Sequence, residues 1–142
     1  LNNSTEVTSN IEQRIYFEAF PQNWDDFYAL FLSRSTPNRN FYKNADKYIH
    51  CFESLNVIPR NEYIGKMINI CIGATPEQNS TRVFLQMTAE AIERAPQIAF
   101  DILSQKPPIE RQLFWASFAE YQAKYPSFRK QFNRIKGIVA KQ

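Results

Sequence analysis

The residues best equipped for chemistry are Cys51, Cys71 and His50, and their spacing works against it. They are the chain's only cysteines and its only histidine. Cys51 and His50 are adjacent, which makes a thiol–imidazole couple the first candidate. On a helix, however, neighbouring side chains point about 100° apart and do not readily share a proton. One histidine without a Cys-x-x-Cys pair also falls short of a zinc ligand set. We therefore expect His50 to be exposed and solvated. A Cys51–Cys71 disulfide is the other use of the thiols, and it would suit an exported protein. If the helices carrying them form a hairpin turning near Val57, the residue level with Cys51 is about Tyr63. Cys71 then lies roughly 12 Å further along, at 1.5 Å per residue. A disulfide spans no more than about 7 Å between Cα atoms. The expectation is two free thiols, buried or half-buried.

Paired carboxylates come next. Asp25 and Asp26 look catalytic in isolation, but two acids just after an Asn are the ordinary start of a helix. Glu90 and Glu93 lie one turn apart beside Arg94, which reads as a solvated helix face. The chain has no Gly-x-Ser-x-Gly, no His-Glu-x-x-His and no Walker loop, which lowers the odds of familiar hydrolase, metalloprotease and NTPase chemistry. An enzyme whose site assembles from distant residues stays open. The sequence calls for no cofactor, no metal and no assigned catalytic residue.

Charge gives the clearest functional signal. From residue 72 onward there are 10 Lys/Arg against 6 Asp/Glu, whereas the first 71 residues carry 7 against 8. From Tyr121 onward the cations Lys124, Arg129, Lys130, Arg134, Lys136 and Lys141 occur with no acid. These six form the candidate interaction surface. On a helical wheel Arg129 and Lys136 flank one side of an apolar stripe, and Lys130, Arg134 and Lys141 flank the other. Three uses compete. A docked terminal helix would complement its own C-terminal dipole. An acidic protein partner or an anionic membrane would meet the cations directly. Nucleic acid would need aromatics beside cations, yet here the aromatics sit in the apolar stripes. The net charge of +3 is also small for a nucleic-acid module.

These residues must be positioned by helices. The chain is 142 residues long, 44% hydrophobic and 15% aromatic, with only 3 Gly. That length suits one domain, and scarce Gly argues against a turn-rich β fold. No apolar run reaches the roughly 18 residues a membrane span needs. Residues 1–9 are rich in Asn, Ser and Thr and read as a flexible polar leader. The leader and the missing initiator Met lean toward an exported protein, although an arbitrary boundary fits equally. Asn2, Asn3 and Asn79 each open an Asn-x-Ser/Thr sequon, a pattern common by chance.

Residues 10–142 then read as a single all-α domain of seven or eight short helices. Ser9 lies three residues before Glu12, a capping-box spacing, and opens a helix that ends at Pro21. Within it Ile15-Tyr16-Phe17 also fits a short strand. Asn23 caps a second helix whose stripe is Trp24, Phe27, Tyr28 and Phe31. Thr36-Pro37 starts a third, with Phe41, Ala45, Tyr48, Phe52 and Leu55 on one face. Ile58-Pro59 starts a fourth, carrying Tyr63, Ile64, Met67, Ile68 and Cys71 and ending at Gly73. Thr75-Pro76 starts a fifth, running to Arg94. Pro96 kinks it or begins a sixth. The seventh follows Pro107-Pro108 and aligns Phe114, Phe118, Tyr121 and Tyr125. The eighth follows Pro126 and aligns Phe128, Phe132, Ile135 and Val139. Short links imply antiparallel helical hairpins, in a compact bundle or a short α-solenoid-like array. The function expected is a non-enzymatic binding module for a protein partner. The alternatives are an enzyme with an unrecognised site, or a basic helix on an anionic surface.

Overall fold

Ser9 opens the first helix as its spacing requires. Its hydroxyl oxygen accepts from the Glu12 backbone N–H at 3.0 Å, starting α1 (Asn10–Ala19). A computed structural model describes residues 9–35, 37 and 39–140 of the chain, so the rest of the polar leader lies outside the described residues. Tyr16 and Phe17 are buried inside α1, so the strand alternative for this segment does not occur. The end of α1 carries a consequence of Pro21. The carbonyl of Phe17 would normally accept from residue 21, and proline has no N–H. A lysine four helices away fills that role. The ammonium of Lys66 donates to the carbonyl of Phe17 and, at 3.1 Å, to that of Phe20. Gln22 donates to the Glu18 carbonyl at 3.0 Å.

Asn23 caps α2 (Trp24–Phe27), accepting from the Asp26 N–H at 2.9 Å. The helix then widens into a π segment over Tyr28–Leu32. Widening shifts the inward face by one position. Phe27, Phe31 and Leu32 are buried, while Tyr28 of the predicted stripe turns outward. The predicted third helix is divided into α3 (Arg39–Lys43) and α4 (Ala45–Glu53). At the division the Asn44 side chain bonds back to the Asn40 carbonyl at 2.9 Å, a local bond that competes with the helix. Thr36 lies outside the described residues.

α5 (Arg60–Cys71) follows Pro59 and ends before Gly73, whose φ of +85° suits glycine alone at this turn. α6 (Asn79–Arg94) begins after Gln78, later than the Thr75-Pro76 signature implied. Arg82 explains the delay, because its guanidinium holds the carbonyls of Pro76 and Glu77 at 3.0 Å each and keeps them in a turn. Pro96 begins a separate helix, α7 (Pro96–Ser104), and α8 (Pro108–Lys124) follows the double proline. A 3₁₀ turn at Pro126–Phe128 leads into α9 (Arg129–Ala140).

The described residues form nine α-helices and no strand. Chain neighbours α5 and α6, α6 and α7, and α8 and α9 pack together, as short links require. Distant helices meet as well. α5 touches α2, α7 and α8, and α9 touches α6 and α7. In a solenoid each unit meets only its neighbours, so this is a compact bundle. α5 is the central helix, with Ile64, Met67, Ile68, Ile70 and Cys71 all buried.

Two groups of rings fill the core. Phe20 stacks on Phe52 at 4.2 Å between centroids and adjoins Phe27, Phe31 and Phe84. Phe118 and Tyr121 pack on Phe128 at the α8–α9 junction. Hydroxyls, two buried and one half-buried, tie the helices across this core. Tyr16 donates to the Tyr48 carbonyl at 2.6 Å, Tyr63 to the Phe52 carbonyl at 2.7 Å, and Ser117 to the Cys71 carbonyl at 2.7 Å.

Candidate interaction surface

The groups singled out for chemistry are largely engaged in holding the fold. Cys51 and Cys71 are both free and buried, as their spacing required. Burial pushes the Cys71 thiol up to about 12 and raises Cys51 as well. His50 points outward, 3.5 Å from Glu53, away from the buried Cys51. Asp25 and Asp26 are exposed first-turn acids of α2. Among the described residues no group of three or more His, Cys, Asp or Glu could hold a metal ion, and no helix is long and apolar enough to cross a membrane. Lys66 is the ionisable group the sequence reading missed. It is only 7% exposed, and burial lowers it to about 8, with Glu18 opposing and Arg14 assisting the shift. Its Nζ lies 4.2 Å from the Phe17 ring centroid.

The predicted basic surface divides in two because α9 is seated between α8 and α6. On the α8 side, Arg129 donates to Gln122 at 3.0 Å and Lys136 lies over the Phe132 ring at 5.3 Å. On the α6 side, Arg134 meets Glu93 at 3.4 Å. Lys124, at the end of α8, meets Glu120 at 3.5 Å. Lys130 is exposed. Lys141 lies outside the described residues. Among the described members of this set, Lys136 is brought to the edge of a concavity.

That concavity is a trough between α7, α8 and α9, made of two clefts of about 500 Å³ and 470 Å³. Both share Arg111, Trp115 and Lys136. Ala116, Ala119 and Phe132 line one end, and Phe100, Leu103 and Val139 line the other. The Trp115 ring is held edge-on to Phe114 at 5.0 Å between centroids. Arg111 is fixed by a 2.6 Å hydrogen bond to the Lys106 carbonyl. α8 remains apolar beyond the trough, where Ile109 and Leu113 are 60% and 42% exposed. Large apolar side chains off the packed stripe are the signal that could have found this site. Trp115, Ile109 and Leu113 all lie off the Phe114-Phe118-Tyr121 line.

A second cleft, of about 460 Å³, opens between the end of α4, α5 and α6. Glu53, Arg60, Glu90 and Arg94 reach it over a floor that includes Met67 and Met87. Tyr63 also lines it, but burial, with Glu53 nearby, pushes its phenol up. Glu90 and Arg94 border this open cleft, and Glu93 points to Arg134. Compared with known proteins, the chain matches no family model, no curated protein and no solved structure.

Proposed function

We propose that this chain is a non-enzymatic docking module, and that the trough between α7, α8 and α9 binds an amphipathic helix with acidic residues beside its apolar stripe. The observation that carries this reading is the apolar trough around Trp115 with cations Arg111 and Lys136 at its rim. Helix-in-groove recognition uses such a surface, with apolar anchors one turn apart. The flanking cations would then select the partner by charge. The mixed-charge cleft beside α5 is a weaker candidate, since the Tyr63 hydroxyl is already committed to the Phe52 carbonyl. Lys124, Arg129, Lys130 and Arg134 lie outside the trough lining and would act at most as a long-range positive field.

The test is calorimetric titration of the full chain with a synthetic helical peptide bearing Ile or Leu at i, i+4 and i+8 and glutamates beside them. Ala116→Arg and Lys136→Glu should each weaken binding at least tenfold, while Lys130→Glu should leave it within twofold. Equal binding of a sequence-scrambled peptide would overturn the reading. So would anionic lipid vesicles that bind the chain while the peptide does not, since a membrane surface would then replace the protein partner.

A further inference from the structure

The helix at the other end of the chain has an unexplained outer face. With 3.6 residues per turn, α1 packs Gln13, Tyr16 and Phe17 inward. Its outer face carries Ile11 and Ile15, which are 75% and 64% exposed, and Ala19 one turn further on. A helix that is apolar on opposite sides normally has both sides covered. Glu12 and Glu18 flank this outer strip, one on each side. The inner face fixes α1 firmly, through Tyr16 to Tyr48, Gln13 to Asn56 and Lys66 to the last turn. The strip is thus a line of anchors at i, i+4 and i+8, with Glu12 on one side and Glu18, paired at 2.9 Å with Arg14, on the other.

This is the chemistry that the trough is read to accept. We infer that α1 of one copy docks into the α7–α8–α9 trough of a second copy, with Glu12 and Glu18 facing Arg111 and Lys136. The inference rests on the trough being a docking surface. α1 packs on α4 and α5 through Tyr48 and Lys66, whereas the trough is built by α7, α8 and α9. Strip and trough are therefore different surfaces, and the contact is heterologous. Such contacts give rings or open chains rather than a closed two-fold pair.

Complementary blocking of the full chain tests this. One variant, Ile11→Lys/Ile15→Lys, loses the strip and keeps the trough. The other, Ala116→Arg/Lys136→Glu, loses the trough and keeps the strip. All four substituted positions but the lysine's own are exposed small or apolar side chains, so folding is checked by circular dichroism before mixing. Sedimentation velocity from about 10 µM to about 1 mM spans the weak range expected of a small interface. The unaltered chain should show a sedimentation coefficient that rises with concentration. Each variant alone should stay monomeric, and an equimolar mixture should form a 1:1 dimer that grows no further. A mixture that stays monomeric, or a single variant that associates like the unaltered chain, overturns the inference. The glutamate-flanked peptide separates the two readings. If the strip-blocked variant binds the peptide but not the second variant, the self-docking inference falls and the docking module stands. If it binds neither, both fall.

Discussion

Lys66→Met is the most informative single change in the core, because its effect depends on pH in a way that packing alone does not. In the folded chain burial lowers Lys66 from its ordinary 10.5 to about 8. The unfolded chain therefore holds more protons between those values, so stability rises with pH across that window. At pH 7 the retained charge costs about 3 kcal/mol relative to a neutral amine, and at pH 9 about 2 kcal/mol. The methionine variant lacks this contribution. It instead leaves the carbonyls of Phe17 and Phe20 without their donor, at roughly 1–3 kcal/mol each. At pH 7 these opposing effects nearly offset, so the absolute difference decides little. The change in the difference is diagnostic. The unaltered chain should gain about 1 kcal/mol over the variant between pH 7 and pH 9. A neutral amine still has two N–H groups for the two carbonyls, so the α1 cap survives deprotonation. Urea unfolding of both proteins at each pH, followed by circular dichroism, measures the gap, with equal m-values confirming the same two states. The thiols and phenols titrate alike in both proteins and cancel. If the stability of the unaltered chain minus that of the variant stays constant or falls between pH 7 and pH 9, the argument is refuted.

Phe20→Ala should cost about 3–5 kcal/mol, because Phe20 is fully buried and meets the rings of Phe27, Phe31, Phe52 and Phe84. In calorimetry the midpoint should fall by on the order of 10 °C. Cys51 and Cys71 should resist a thiol-specific reagent at pH 8 until denaturant is added, and intact mass should be the same with and without reductant. A gain of two hydrogens on reduction would mean a disulfide. Burial raises the phenols of Tyr16 and Tyr63, so their contribution to stability is intact below pH 10 and is lost as pH rises above it. Absorbance at 295 nm should therefore show two tyrosines ionising only together with unfolding.

The helical skeleton was legible because proline and cap residues act locally. Ser9, Asn23, Gly73, Pro96 and Pro107-Pro108 mark their helix ends within a residue or two in the structure. The stripe Phe128, Phe132, Ile135 and Val139 is buried throughout. What the sequence could not convey depended on partners far along the chain. Lys66 reads as a surface cation on α5 until the orphaned carbonyl of Phe17, 49 residues earlier, is set beside it. Thr75 reads as a helix cap until Arg82 holds the following turn. Bundle and solenoid differ only in contacts between distant helices, which no local pattern encodes.

The surface posed the opposite problem, in that charge drew attention away from apolar side chains. The cations of the C-terminal segment are separated once α9 sits between two neighbours, and two of them are answered by Glu120 and Glu93. Exposed ion pairs of this kind contribute about 0–1 kcal/mol and identify no partner by themselves. The informative feature is instead a surplus of apolar residues. A packed helix needs one inward face. α8 supplies it with Phe114, Phe118 and Tyr121, yet also carries Ile109, Leu113 and Trp115. α1 supplies it with Tyr16 and Phe17, yet also carries Ile11 and Ile15. Apolar area left in water contributes nothing to folding, at about 25 cal/mol per Å² forgone. Among the described residues, these two helices, one with Glu12 and Glu18 beside its strip and the other bordering cations, carry apolar surface that packing within a single copy does not account for.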